Sequence, residues 1–135
     1  MIEVRFHGRG GQGAVTSAEL VALAAIEDGK FAQSMPSFGP ERRGAPVQAY
    51  LRVSKDQIRV RAEVLNPDVV VVLDDGLIEI MDITSGLKDG GLVVVNTKQP
   101  SKQDQKTGNP YAKKSVSRWA IIRDPRLIFF TGLGF

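Results

Sequence analysis

The hydrophobic pattern of the N-terminal third predicts a strand, a turn and a helix. Apolar and polar residues alternate over residues 2–6, as in a strand with one buried face. Glycines then interrupt the pattern, and residues 14–28 are rich in Ala, Leu and Glu. Gly29 stands where the end of a helix favours a left-handed residue. Apolar side chains recur along this helix at Val15, Ala18, Val21, Ala22 and Ala25.

The next part of the chain predicts a long loop and a hairpin. Residues 31–46 contain two Gly, three Pro and two Ser together with Phe and Met side chains, which favours an ordered loop. Residues 47–53 and 57–62 are short extended runs separated by Ser-Lys-Asp, and we interpret them as the two strands of a hairpin.

Two continuous apolar runs predict strands buried on both faces, at residues 69–73 and 92–95. Asp74 and Asp75 end the first run, a broken helix is predicted over residues 77–87, and Asn96 and Thr97 end the second run. Strands that alternate with helices predict an α/β fold. We therefore expect a three-layer α/β/α domain with a mixed, mostly parallel sheet that includes one hairpin.

Composition narrows the possible chemistry. The 135 residues include no cysteine, which excludes a disulfide, a thiolate-bound iron–sulfur cluster and a cysteine nucleophile in this chain. We see neither the pattern of a signal peptide nor an apolar run approaching the ~20 residues that span a bilayer. The expectation is a cytoplasmic protein that contacts no membrane.

Charge divides the chain into two parts. Residues 1–97 hold 10 Lys and Arg against 13 Asp and Glu, whereas residues 98–135 hold 8 against 2. The basic residues are scattered and no nucleic-acid-binding motif accompanies them, so no nucleic-acid partner is expected. We predict an α/β domain over residues 1–98 and a divergent or truncated basic segment over residues 99–135. Trypsin should cut first between Lys102 and Arg118, although short apolar runs at 119–122 and 127–130 could form strands.

The glycine turn is the first candidate site. Gly8, Gly10 and Gly13 satisfy the pattern G-x-G-x-x-G between a predicted strand and a predicted helix, where backbone N–H groups bind phosphates. The acidic residue that should hold a ribose about 20 positions later is missing, which speaks against NAD. An anion-binding loop of another sort and a tight connection without ligand both remain open.

A second candidate is the pair Arg42 and Arg43, which stands between glycines and prolines. Guanidinium groups match phosphate geometry, although Glu41 could pair with one of them. His7 is the single histidine and is expected to be structural. Asp74 and Asp75 fit either a paired-carboxylate site or the start of a helix.

Two motifs and their spacing resemble one known family. The runs HGRGGQGAVT at residues 7–16 and FGPERRGAPV at residues 38–47 are similar to the gamma subunit, or gamma domain, of the pyruvate and other 2-oxoacid:ferredoxin oxidoreductases. Pro67-Asp68 and the run GGLVVVNT at residues 90–97 fit the same pattern. The similarity covers residues 2–98, and family members usually continue for several dozen residues more.

The resemblance implies a subunit of an enzyme that is not active alone. Such enzymes oxidatively decarboxylate a 2-oxoacid, reduce ferredoxin and release an acyl-CoA. Thiamine diphosphate and 4Fe–4S iron–sulfur clusters would lie in partner alpha, beta and ferredoxin-like delta subunits, and this chain would bind no cofactor alone. It would cover the active site and help to bind the co-substrate coenzyme A. The alternatives are a stand-alone nucleotide-binding module and an inactive remnant that only packs against partners.

The resemblance also implies the residues that contact coenzyme A and leaves the particular 2-oxoacid open. No catalytic residue and no metal ligand is expected in this chain. The implied coenzyme A contacts are Gly10, Gly11, Gln12, Gly13, Arg42, Arg43, Gly44, Asn96 and Thr97.

Overall fold

The computed structural model describes residues 1–37, 43–97 and 120–123, the last four as backbone. Its six strands form one mixed sheet in the order β2-β3-β1-β4-β5-β6. β1 pairs in parallel with β4, and β4 with β5, so the carboxyl ends of these three strands lie at one edge. The elements are β1 (Ile2–Arg9), α1 (Ala14–Glu27), β2 (Phe31–Pro36), β3 (Pro46–Ser54), β4 (Val69–Val72), α2 (Leu77–Ile80), β5 (Leu92–Val95) and β6 (Ala120–Arg123).

One face of the sheet is covered by α1. Its small side chains Ala14, Ala18 and Ala22 are buried against Phe6 and Leu51 of the sheet. Small residues let the helix approach closely. The outer surface of α1 is also apolar, and Leu20, Leu23 and Ile26 are each more than half exposed. A helix that is apolar nearly all round is typical of one buried on several sides, yet no described residue covers this surface.

The opposite face is covered by α2 and by irregular segments. Val70 and Val72 of β4 pack there with Leu77 and Ile83. Irregular backbone carries carbonyl groups that need hydrogen-bond donors once they are buried. Two buried arginines of the sheet supply such donors: Arg5 to residues 83 and 85, and Arg52 to residues 62 and 63.

The predicted α/β fold with a mixed sheet and one hairpin is confirmed, but the predicted hairpin strand at residues 47–53, which is β3, pairs with a different partner. β2 and β3 pair antiparallel, so the first half of the predicted loop at residues 31–46 is a strand. Residues 57–62, predicted as the second hairpin strand, are irregular. The main-chain carbonyl of Ala62 accepts a hydrogen bond from Arg52 at 2.6 Å. In a strand this carbonyl would instead accept from the backbone N–H of a neighbouring strand.

The balance of strand directions also differs from the prediction. Among the described strands, three pairings are antiparallel and two are parallel, so the sheet is not mostly parallel. The last antiparallel pairing joins β5 to β6, a strand within the basic C-terminal segment. The predicted short strand near residue 120 is therefore confirmed, whereas the predicted protease-sensitive stretch between Lys102 and Arg118 lies outside the described residues. In the part described, no helix is long and apolar enough to cross a membrane.

Candidate functional site

The glycine turn, the end of the arginine loop and the ends of β4 and β5 meet at one edge of the sheet. This edge holds the carboxyl ends of β1, β4 and β5, where open α/β sheets commonly bind ligands. The predicted residues Gly10, Gly11, Gln12 and Gly13 follow β1, and Asn96 and Thr97 follow β5. Eight of the nine predicted contacts, all except Arg42, lie in or directly beside these segments or at Arg43 and Gly44.

The glycine turn presents the N-terminus of α1. Gly11 and Gly13 have φ angles of 88° and 85°, which side chains other than glycine rarely adopt. Gly13 is the N-cap of α1, and no side chain caps the helix. The first turn of a helix has N–H groups without partners inside the helix, and here it carries no acidic residue. The turn therefore has the backbone donors that an anion-binding loop requires.

The end of the arginine loop is fixed against this turn. The Gly10 N–H donates to the Ala45 carbonyl at 2.9 Å, and the Gly44 N–H donates to the Gly10 carbonyl at 3.2 Å. Arg43 consequently lies beside Gly10, where the two residues form an isolated parallel β-bridge, and Arg43 is exposed to solvent. The structure thus brings Arg43 and Gly44 to the glycine turn, as predicted, whereas Arg42 lies outside the described residues.

Asp74 ties the turn to the end of β4. Its Oδ2 accepts hydrogen bonds from Gln12 Nε2 at 2.9 Å and from Arg9 Nε at 3.3 Å, and its Oδ1 accepts from the Gly76 N–H at 3.0 Å. The hydrogen bond from Gln12 lowers the pKa of the Asp74 carboxyl, as do the bonds from Gly76 and Arg9, while partial burial opposes them. Asp74 is therefore an anionic acceptor that links two segments.

The two polar residues after β5 are tied to the same segment. The Asn96 side-chain amide donates to the Leu73 carbonyl at 3.2 Å, and the Thr97 hydroxyl donates to Asp75 Oδ2 at 2.7 Å. Asp74 and Asp75, which sequence allowed as a paired-carboxylate site, thus accept from different donors. The bond from Gly76, which begins α2, agrees with the alternative prediction of a helix start.

His7 lies in the interior, in agreement with its predicted structural role. It is 2% exposed, its Nε2 accepts from Arg5 Nε at 3.0 Å, and its Nδ1 has no hydrogen-bond partner in the described part of the chain. Burial, and secondarily the nearby Arg5 charge, lowers the pKa of His7 to about 4. Within the described ranges, no group of three or more acidic, histidine or cysteine side chains could hold a metal ion.

Sequence reasoning missed Arg9 as a member of this edge. Its guanidinium contacts both Asp74 and the Gly44 carbonyl, so it joins the three segments. The available signal was topological: Arg9 ends β1 and Asp74 follows β4, and these neighbours run in parallel. An arginine and an aspartate at adjacent parallel strand ends are expected to meet.

Comparison with known proteins adds the family. The chain is 62% identical over 97 residues to a pyruvate synthase subunit PorC of Methanothermobacter marburgensis, covering 72% of this chain and 55% of that protein. It is 55% identical over 103 residues to the pyruvate/ketoisovalerate oxidoreductases common subunit gamma of Thermococcus kodakarensis, covering 76% and 56%. The chain thus spans about half the length of these relatives.

A solved structure agrees with these relatives. The pyruvate oxidoreductase subunit PORC of Thermotoga maritima superposes with a TM-score of 0.63 at 40% identity, over 78% of this chain and 55% of that one. The family described as pyruvate ferredoxin/flavodoxin oxidoreductase matches residues 3–127. This match confirms the resemblance predicted from the two motifs, and the chain belongs to the pyruvate ferredoxin/flavodoxin oxidoreductase family.

Proposed function

We propose that this chain acts as a gamma subunit of a pyruvate (2-oxoacid):ferredoxin oxidoreductase. In the assembled enzyme a 2-oxoacid is oxidatively decarboxylated to an acyl-CoA while ferredoxin is reduced. The chain covers the active site and helps to bind coenzyme A. Thiamine diphosphate and the 4Fe–4S clusters belong to the alpha, beta and ferredoxin-like delta subunits. The relatives named as pyruvate synthase and common gamma subunits support this proposal.

The observation that carries the coenzyme A assignment is the convergence of the uncapped α1 N-terminus with Arg43. Coenzyme A carries a pyrophosphate and a further phosphate, for which backbone N–H groups and guanidinium groups are suitable donors. The first turn of α1 has no acidic residue that would compete with such an anion. The glycines at Gly11, Gly13 and Gly44 leave open space where a side chain would otherwise project.

The assignment to an assembly has a second support in the exposed surface of α1. Leu20 and Leu23 are 61% and 58% exposed, and Ile26 next to them is 52% exposed. Contiguous exposed apolar side chains mark surfaces that contact other proteins. We assign this surface to contacts with the rest of the enzyme, which distinguishes a subunit from a nucleotide-binding module that works alone.

Titration calorimetry on the full chain tests the ligand directly. We expect coenzyme A to bind and pantetheine, which lacks the phosphates, not to bind. Replacement of Arg43 by Ala should weaken binding by about 1.5–3 kcal/mol if its contact with a phosphate is direct. The matched control Arg61→Ala removes an exposed arginine outside this edge and should have no effect. Equal binding of pantetheine would contradict the phosphate assignment.

Kinetics of the assembled enzyme test the role in catalysis. The double replacement of Arg42 and Arg43 by Ala should raise the KM for coenzyme A, while the KM for the 2-oxoacid moves less. Unchanged coenzyme A kinetics would assign the arginine loop to subunit packing instead. Preference for a free adenine dinucleotide over coenzyme A would favour a stand-alone nucleotide-binding module.

A further inference from the structure

Asp74 accepts hydrogen bonds from three donors at the proposed site, two of them in the segment that ends β1 and forms the glycine turn. The donors are the side-chain amide of Gln12 in the glycine turn, the guanidinium of Arg9 at the end of β1, and the backbone N–H of Gly76 just before α2. Three donors satisfy most of the accepting capacity of one carboxylate. The contacts of Asp74 are therefore those of a residue that orients neighbouring protein segments, not of one that binds a ligand directly.

Gln12 is exposed, but both polar atoms of its side-chain amide form hydrogen bonds with the protein. Its Oε1 accepts from the Arg9 N–H at 2.7 Å, and its Nε2 donates to Asp74 at 2.9 Å. The side chain thus closes a ring of hydrogen bonds through Arg9 and Asp74. Because both its oxygen and its nitrogen bond to the protein, Gln12 shapes the glycine turn, whatever further contact its second N–H makes with a ligand.

The glycine turn needs such an external restraint. Gly11 and Gly13 have positive φ angles, and a Cβ at either position would have no heavy atom within 4 Å. Both positions therefore face open space, and glycine is the residue with the largest conformational freedom. Arg9 adds a second restraint, because its guanidinium also donates to the Gly44 carbonyl at 3.2 Å.

We infer that Asp74 is the positioning residue of this site: through Gln12 and Arg9 it fixes the glycine turn so that its N–H groups face the phosphates of the ligand. The inference rests on the proposed function for the identity of the ligand. The ordering of the turn itself is a property of the free protein and can be measured without any ligand.

Neutralising Asp74 changes anion binding in opposite directions, depending on whether its carboxylate positions the turn or only lies near the anion. A carboxylate that merely lies near an anion repels it, so its neutralisation strengthens anion binding. A carboxylate that positions the turn has the opposite effect, because its loss releases Gln12 and Arg9. An asparagine in place of Asp74 keeps one acceptor, but whichever way its amide is turned, one –NH2 group faces a donor.

The experiment compares Asp74→Asn with Asp75→Asn in the full chain. Asp75 is the adjacent carboxylate and accepts from Thr97, not from the glycine turn. Coenzyme A is titrated into each variant, and amide hydrogen exchange of Arg9, Gly10 and Gln12 is measured without ligand. All three amides donate to internal acceptors in the structure.

We expect Asp74→Asn to weaken coenzyme A binding by about 10-fold or more and to speed exchange at these amides. Asp75→Asn should leave exchange at these amides unchanged, which is the control readout, because Asp75 bonds to Thr97 and not to the glycine turn. Gln12→Ala, which removes the same link without changing charge, should reproduce both effects if the Asp74 variant does not fold.

Two results overturn the inference: binding to Asp74→Asn as tight as or tighter than to the wild type, or unchanged exchange at the turn in both Asp74→Asn and Gln12→Ala. Failure of the wild-type chain to bind coenzyme A contradicts the proposed function instead. In that case the exchange rates alone decide whether Asp74 orders the turn.

Discussion

Arg5 donates a hydrogen bond from Nε to Nε2 of His7 at 3.0 Å, between two buried side chains on the same strand. The same guanidinium donates to the carbonyls of Ile83 and Ser85, which belong to the segment that covers this face. Because Nε2 accepts a hydrogen bond, the buried imidazole is neutral and carries its proton on Nδ1. The covering segment is thus held by an arginine whose neighbour must stay uncharged.

This neutral histidine makes stability depend on pH. The pKa of His7 is about 4 in the folded chain and 6.5 as its ordinary value, so between these values only the unfolded chain binds the proton. Stability should therefore fall as pH falls from 6.5 to 4, by a total of about 3 kcal/mol. Urea unfolding at pH 7 and at pH 4.5 measures this loss.

His7→Gln is the control for the pH effect, because it has no titrating group and its amide oxygen can accept from Arg5. The aspartates with lowered pKa values, such as Asp68 and Asp74, lose their contribution only as pH falls below about 3.8, outside this window. An equal loss in His7→Gln and wild type between pH 7 and 4.5 would contradict the assignment.

Arg52 should be one of the most sensitive positions of the domain. It is 3% exposed, pairs with Glu3 at 2.9 Å, and donates to the carbonyls of Ala62 and Glu63. Arg52→Ala leaves a largely buried carboxylate and two carbonyls without these donors, which should cost about 3–5 kcal/mol. Denaturant unfolding checks this value against Arg61→Ala, an exposed arginine whose replacement should cost less than about 0.5 kcal/mol.

Gly86 and Gly90 form a natural pair for testing steric strain. Both have left-handed backbone, with φ of 72° and 74°. A Cβ at Gly86 would lie 2.0 Å from the Leu65 carbonyl oxygen, whereas a Cβ at Gly90 would meet nothing within 4 Å. Gly90→Ala should cost about 1–2 kcal/mol from backbone strain alone. Gly86→Ala should cost about 3–5 kcal/mol, and equal melting temperatures for the two variants would contradict this difference.

The proposed division of cofactors gives a spectroscopic prediction. The chain has no cysteine to hold an iron–sulfur cluster. Purified alone under anaerobic conditions and supplied with iron and sulfide, it should show no iron–sulfur absorbance. It should also retain no thiamine diphosphate after gel filtration. A purified chain that is brown and contains stoichiometric iron would show that it binds a cluster itself, which would contradict the proposed division of cofactors.

The first strand, the glycine turn and α1 could be predicted from sequence because their signals are local. Alternation, glycine and helix-forming residues each act over a few positions, and the predicted helix at residues 14–28 differs from α1 by one residue. The two valine-rich strands could also be predicted, because β-branched residues are enriched in strands. Thr97 meets the residues that end β4 because β4 and β5 are parallel, whereas Gly44 reaches the glycine turn because β3 is antiparallel to β1.

The pairing of β2 could not be predicted, because its signal is weak and its partner is distant. Its residues Ala32 and Ser34 face α1 with small side chains, so the apolar alternation of a strand is faint. Residues 57–62 have that alternation through Ile58 and Val60, yet Val60 is 47% exposed. What decides between strand and irregular chain here is the Arg52 guanidinium, whose two carbonyl partners are 10 and 11 residues away.

The recognition of main-chain carbonyls by Arg52 has a consequence for how this region can evolve. Every amino acid supplies a carbonyl, and the side chains of Ala62 and Glu63 are exposed. These two positions can therefore drift among most residue types while the covering layer keeps its place. The hydrogen bonds to this stretch therefore depend on one residue of β3, and no substitution at positions 62 and 63 can replace Arg52 once it is lost.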